Sequence, residues 1–213
     1  MLAIVVVAAL AFLRLRPAHL NPVSTSTHYV MTFAGDDMMQ GYGASSAAHT
    51  VVNQLGELRP NWWIRNYSVA GASVSGSPQL PPMNASNVVP LLGDPVVVFL
   101  GSNDWMFDTP IPVFRVDYIK FIHTLDYLHP HVICVTPIWR TDDGKENRAE
   151  YKLDDYRKEI AEICTSDGHP VIDGSPLVPH DPGNYLDGIH PNDTGYADYA
   201  RNLAQALDKF LNR

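Results

Sequence analysis

Asp37 closes the run Gly35-Asp36-Asp37, directly after the apolar stretch Tyr29 to Ala34. A strand that ends in glycine and then a polar residue presents that residue at the sheet's carboxyl edge, where open α/β sheets hold their ligands. A carboxylate in that place has a definite chemistry. It needs no base to act as a nucleophile, but attack on an acyl carbonyl would give a high-energy mixed anhydride. Saturated carbon is the better match: the anomeric centre of a glycoside, or a carbon bearing a halide or an epoxide oxygen. Its possible companions stand far along the chain: Gly71 in Val69-Ala70-Gly71-Ala72-Ser73, Asn103 in Gly101-Ser102-Asn103-Asp104, and Asp187 and His190 in Asp187-Gly188-Ile189-His190-Pro191. Asp36, Asp37, Asp104 and Asp187 together raise a divalent-cation site as a competing reading. No cysteine-histidine spacing suggests zinc, and the glycines at 41, 43, 71 and 76 follow neither the dinucleotide nor the P-loop pattern. No metal and no cofactor is expected.

For these residues to meet, the elements between them must form a parallel sheet. Residues 29–34 read as a first strand and 43–57 as a helix, with Ala44, Ala47, Ala48, Val51, Val52 and Leu55 at helical spacing. Residues 62–69 read as a second strand. The continuous β-branched and aromatic run at 95–100 suits a central strand buried on both faces. A helix over 112–128, a strand over 132–137, a helix over 153–164, a short strand at 170–172 and a last helix over 193–211 follow. Strands separated by helices pair in parallel through right-handed crossovers, which predicts a three-layer α/β/α sandwich of flavodoxin-like type. Asp37, Gly71 and Asn103 then follow successive strands, and Asp187 and His190 precede the last helix. All lie at one edge.

In order and placement these segments resemble the SGNH (GDSL-type) hydrolases, over residues 29 to about 211. The resemblance implies an esterase-like hydrolase acting on O-acyl esters, including those of carbohydrates. In that family a serine follows Gly-Asp and attacks the acyl carbonyl, with its own backbone N–H helping to hold the oxyanion. The resemblance implies further oxyanion-hole donors at Gly71 and Asn103. It implies that Asp187 orients His190 and that His190 takes the nucleophile's proton. Asp36 would buttress the loop through backbone hydrogen bonds.

The chain departs from the family at the nucleophile, where Asp37 stands for serine. Three readings follow. The first is a serine-esterase descendant, natural or engineered, in which the Asp37 carboxylate fills the oxyanion hole and lowers or changes activity. The second is a hydrolase that uses Asp37 at saturated carbon, with Asp187 and His190 activating water. The third is an inert relative that binds glycans. Trp105, Trp139 and Arg140 fall at the active edge as candidate substrate contacts, the tryptophans for a sugar or an acyl chain and Arg140 for an anionic substituent. Trp105 equally suits a plug beneath the site. Arg140, inside the polar stretch 140–152, suits a solvated loop, and Trp62 and Trp63 suit strand residues at the far end.

Composition limits the remaining classes. A chain of 213 residues with 46% hydrophobic and 18% charged residues fits one core. A net charge of −8 without a basic stripe argues against a nucleic-acid partner. Residues 2–13 are all apolar, followed by Arg14, Arg16 and Pro17. Twelve residues fall short of the roughly twenty that span a bilayer, so residues 1–18 read as a secretory or membrane-anchor segment. Residues 19–27 read as a linker and 28–213 as the hydrolase-like domain. The chain is therefore expected to be exported or held at a membrane, and otherwise cytoplasmic. Cys134 and Cys164 read as ordinary small core residues.

Overall fold

The computed structural model describes residues 28–78, 81–83, 94–128 and 131–211. Five parallel strands form its sheet: β1 (Tyr29–Gly35), β2 (Trp62–Ser68), β3 (Val96–Phe99), β4 (Val132–Val135) and β5 (Val171–Ile172). Their order is β2-β1-β3-β4-β5, all in parallel register. The chain turns from one side of β1 to the other between β2 and β3, which opens a crevice at the carboxyl ends of β1 and β3. Asp37 and Asn103 flank that crevice.

The sheet separates two apolar layers because successive side chains point to opposite faces. Met31, Phe33, Val97, Phe99, Ile133 and Val135 face one layer, which is closed by α2 (Val51–Leu58) and α6 (Asp193–Leu211). Ala34, Val96, Val98, Val132 and Cys134 face the other, under α4 (Ile111–Leu128) and α5 (Leu153–Ser166). All four residues of β3 and all four of β4 are buried. Burial on both faces is the reason these strands read as unbroken apolar runs rather than as alternation.

Two short helices add to the elements expected from sequence, α1 (Asp37–Gln40) and α3 (Ser102–Met106). Neither is long enough to show helical periodicity, and both start at a strand's carboxyl end. The helix expected over 43–57 forms only from Val51. Gly41 and Gly43 are in left-handed conformations, φ +85° and +98°, and a 3₁₀ turn over Ala47–His49 intervenes. Thr50 then caps α2 by accepting the Asn53 N–H.

Cys134 and Cys164 are not independent core residues. They form a disulfide that ties β4 to α5 across the second layer. Their pairing depends on how a strand and a helix 30 residues apart come to face each other, which no local pattern displays. The apolar segment at 1–18 and the linker at 19–27 lie outside the described residues. Among the described residues no helix is long and apolar enough to cross a membrane.

Candidate active site

The end of β1 is built for a tight turn. A Cβ at Gly35 would lie 2.7 Å from Met39 Cγ and 3.0 Å from Ser68 Oγ, so only glycine lets α1 fold back against β2. Asp36 caps α1, its Oδ1 accepting the Met38 N–H at 3.1 Å. Its side chain is buried, and desolvation together with the neighbouring Asp37 charge pushes its pKa up to about 8. The Met38 N–H and the Arg140 charge oppose that rise. Burial therefore favours the protonated form of the Asp36 carboxyl.

Asp37 turns outward from the first turn of α1. Its Oδ1 accepts the Gly71 N–H at 3.0 Å and its Oδ2 accepts the Asn103 side-chain amide at 2.8 Å. The second amide hydrogen of Asn103 goes to Ala72 O at 3.1 Å. Gly71 has φ +74°, a left-handed turn beyond β2 that aims its N–H into the crevice. Gly101 has φ +119°, and a Cβ there would lie 2.8 Å from Ile160 Cδ1, so the turn into α3 packs directly on α5. One backbone N–H and one side-chain amide thus converge on a single carboxylate.

Asp187 and His190 form the opposite wall. His190 Nδ1 and Asp187 Oδ2 are 2.8 Å apart, and Asp187 Oδ1 accepts the N–H groups of Ile189 at 3.0 Å and His190 at 2.8 Å. Partial burial raises the Asp187 pKa, but the His190 N–H, the His190 ring and the Ile189 N–H outweigh it and bring the carboxyl down to about 2. With Nδ1 held by Asp187, Nε2 is the nitrogen left for proton transfer. Tyr42 links the two walls. Its N–H donates to Asp37 O at 3.0 Å, and its ring centroid lies 4.4 Å from that of His190.

The arrangement offers an anion-binding pair of donors, a carboxylate in it, and a carboxylate-oriented imidazole alongside. The model of the GDSL-like lipase/acylhydrolase family matches residues 33–197. The chain belongs to this family. No curated protein matches it. Among solved structures it is similar to the lipase/acylhydrolase from Enterococcus faecalis, at 19% identity and TM-score 0.67, covering 85% of this chain and 96% of that one. A carbohydrate acetylesterase family member from Sinorhizobium meliloti aligns at 15% identity and TM-score 0.68, covering 87% and 100%. A salicylyl-acyltransferase from a tetracycline biosynthetic pathway aligns at 19% and TM-score 0.68, covering 88% of this chain and 56% of that one. At such identities these structures speak for the GDSL fold alone.

Of the three residues expected at the rim of this GDSL site, Trp105 and Arg140 are buried and Trp139 is partly exposed. Trp105 is buried in the second layer, its Nε1–H donating to Tyr151 O at 2.9 Å. It is the plug beneath the site. Arg140 is fully buried rather than solvated. Its guanidinium pairs with both oxygens of Asp142 at 3.0 and 3.1 Å, donates to Ser102 Oγ at 3.3 Å, and lies 4.8 Å over the Trp105 ring. Fully buried and held by these contacts, it does not present its charge at the surface, and the stretch 140–152 folds around it and Asn147, whose side chain bonds Trp105 O and the Ala149 and Tyr151 N–H groups. Trp139 stacks on His180 at 5.0 Å, with Tyr185 at its edge. Trp62 is buried and Trp63 exposed on β2. Among the described residues no cluster of three or more metal-ligating side chains occurs.

Sequence reasoning overlooked three contributors. Tyr42 carries no motif beyond its flanking glycines. Gly43 matters because a Cβ there would lie 2.6 Å from Pro191 O and 3.2 Å from His190 Cβ. Asp104, grouped from sequence only with the acidic residues, accepts the Val74 N–H at 3.1 Å and the Ser75 N–H at 3.0 Å. The signal for it was its place beside Asn103.

Proposed function

We propose that this chain is a GDSL-type acyl-ester hydrolase whose oxyanion-binding donors are occupied by its own Asp37 side chain. As it stands it turns esters over slowly or not at all, and serine at position 37 restores acyl transfer. One observation carries the reading: both oxygens of Asp37 accept hydrogen bonds, one from the Gly71 N–H and one from the Asn103 amide. A carboxylate in this position mimics the oxyanion and the bound product acid. The same two bonds weigh against attack at saturated carbon, because each draws charge from the oxygen that would attack.

In the Asp37→Ser form the serine oxygen adds to the acyl carbonyl and its proton passes to His190 Nε2. Asp187 steadies the imidazolium through Nδ1. The carbonyl oxygen takes up negative charge between Gly71 and Asn103. Collapse expels the alcohol, which takes the proton from His190, and water cleaves the acyl-enzyme by the same steps. The substrate class is a short O-acyl ester, esters of carbohydrates included.

The test is hydrolysis of acetyl and butyryl aryl esters by the chain and by Asp37→Ser. We expect the serine form to exceed the unaltered chain by at least about 100-fold, the scale on which an oxyanion-hole contact acts. Release of sugar or halide by the unaltered chain, abolished in Asp37→Asn, would overturn this in favour of carboxylate chemistry. Glycan retention without turnover in either form would favour a binding role. Export is part of the same reading. The Cys134–Cys164 disulfide supports it, because structural disulfides persist in oxidising compartments; recovery of the full chain in a reducing cytosolic fraction would count against it.

A further inference from the structure

We propose that Asp104 is a positioning residue for the oxyanion-binding donors: its buried carboxylate holds the 71–75 turn against α3 and so fixes the direction of the Gly71 N–H. The observation is a division of labour between neighbours on one short helix. Asn103 reaches the turn from one side, donating to Ala72 O at 3.1 Å while its other amide hydrogen goes to Asp37. Asp104 takes the turn from the other side, Oδ2 accepting from Val74 at 3.1 Å and Oδ1 from Ser75 at 3.0 Å. Asp104 is itself wholly buried, as are Ala72, Ser73 and Val74.

The two donor sources come from different crossovers, Gly71 after β2 and Asn103 after β3, and β1 lies between those strands in the sheet. No backbone ladder joins them directly. Adjacent residues of α3 therefore set the distance between the amide and the N–H. A carboxylate suits the task because it accepts from two consecutive N–H groups at once. An asparagine accepts with one oxygen and turns an N–H against the second donor.

Burial raises the Asp104 pKa to about 6 against the pull of the Ser75 and Val74 N–H groups, so the carboxylate sits here at a desolvation cost that its two hydrogen bonds only partly offset.

The experiment compares Asp104→Asn in two backgrounds. In the otherwise unaltered chain, amide hydrogen exchange is read at Gly71 alongside the thermal midpoint. We expect Gly71 exchange to accelerate at least tenfold while the midpoint falls by no more than a few degrees. In the Asp37→Ser background we expect kcat for a short aryl ester to fall by about 100-fold with KM within twofold, the loss of one misdirected oxyanion donor. Asp104→Glu, which keeps the charge but moves it by a methylene, should show the same split if the asparagine variant does not fold. Unchanged Gly71 exchange overturns the proposal, as does unchanged kcat in an active Asp37→Ser chain. The inference on catalysis rests on the ester-hydrolase reading. If Asp37→Ser shows no ester turnover, that reading fails by itself and exchange at Gly71 alone decides the positioning role.

Discussion

Asn103 gives one hydrogen of its side-chain amide to Asp37 Oδ2 at 2.8 Å and the other to Ala72 O at 3.1 Å. Asp37 thereby does for the folded chain what a transition state would do for an active relative: it satisfies the donors. Unsatisfied, the Gly71 N–H and the amide would stand partly desolvated at the sheet edge, and hydrogen bonds to a charged group contribute roughly 1.5–3 kcal/mol.

Stability and ester activity should therefore move in opposite directions at position 37. Asp37→Ser is expected to lose about 1–3 kcal/mol of stability while gaining turnover. Asp37→Ala should lose a similar amount and recover part of it in acetate, which can lie between the vacated donors. Denaturant melts with and without acetate check this. An unaltered chain that acetate stabilises equally would show that the donors are free.

The buried carboxylates give a pH dependence with a definite sign. The Asp36 pKa stands near 8 in the folded chain and the Asp104 pKa near 6, against 3.8 for the ordinary group. Between the two values the folded state binds the extra proton, so unfolding free energy falls as pH rises. Each group contributes a slope of up to about 1.4 kcal/mol per pH unit. Both act from about pH 4 to 6, and Asp36 alone from about 6 to 8. Above that the contribution is flat. Asp36→Asn keeps the cap on α1 and should remove the decline between pH 6 and 8 seen in thermal melts. Asp187, held near 2, contributes in the opposite sense, its stabilisation being lost only as pH falls below about 4 toward 2.

The Cys134–Cys164 disulfide closes a 30-residue separation between β4 and α5. Its removal in Cys134→Ser/Cys164→Ser should cost roughly 2–4 kcal/mol by denaturant titration. Because it lies in the layer away from α1, the Asp37→Ser form carrying this change should keep its KM for esters. A shift in KM would mean that loosening α5 is felt through the Gly101 turn that packs on it.

What was legible in the sequence divides along physical lines. β3 and β4 announced themselves because burial on both faces demands unbroken apolar runs, and α6 because nineteen residues are long enough to show a periodic stripe. Gly35, Asp37, Gly71, Asn103, Asp187 and His190 stood out through their joint order, which resembles the GDSL-type hydrolases, since each motif alone is a weak local signal. Arg140 misled for the converse reason. A charged residue in a polar stretch reads as solvated, and only the three-dimensional conjunction of Asp142, Ser102 and the Trp105 ring shows that its charge is matched indoors. The disulfide was hidden in the same way, since it depends on the register of a helix on a sheet.

Arg140 should accordingly behave as a core residue. Arg140→Ala leaves Asp142 without its partner and opens space against Trp105, and breaking a buried ion pair typically costs about 3–5 kcal/mol. Arg140→Lys should recover only part of this, because an ammonium cannot bridge both Asp142 oxygens and cover the ring together. Chemical denaturation gives both numbers. If Arg140→Ala instead kept its stability and raised KM for an ester, the side chain would face substrate after all.

Gly43 offers the sharpest test of how the two walls of the site are joined. Its φ of +98° already disfavours any side chain, at about 1–2 kcal/mol. A Cβ would also press on Pro191 O at 2.6 Å and on His190 Cβ at 3.2 Å. Neither neighbour can yield freely: the backbone N–H of His190 is bound to Asp187, and Pro191 leads into α6. Gly43→Ala should therefore move the imidazole away from position 37 while Gly71 and Asn103 stay in place. In the Asp37→Ser background this predicts a fall in kcat of tenfold or more with KM little changed. In the unaltered chain the Asp37 hydrogen bonds should persist, so acetate should remain without effect on its melting point. Equal loss of kcat and of the Asp37 contacts would mean that the strain spreads through α1 rather than through His190.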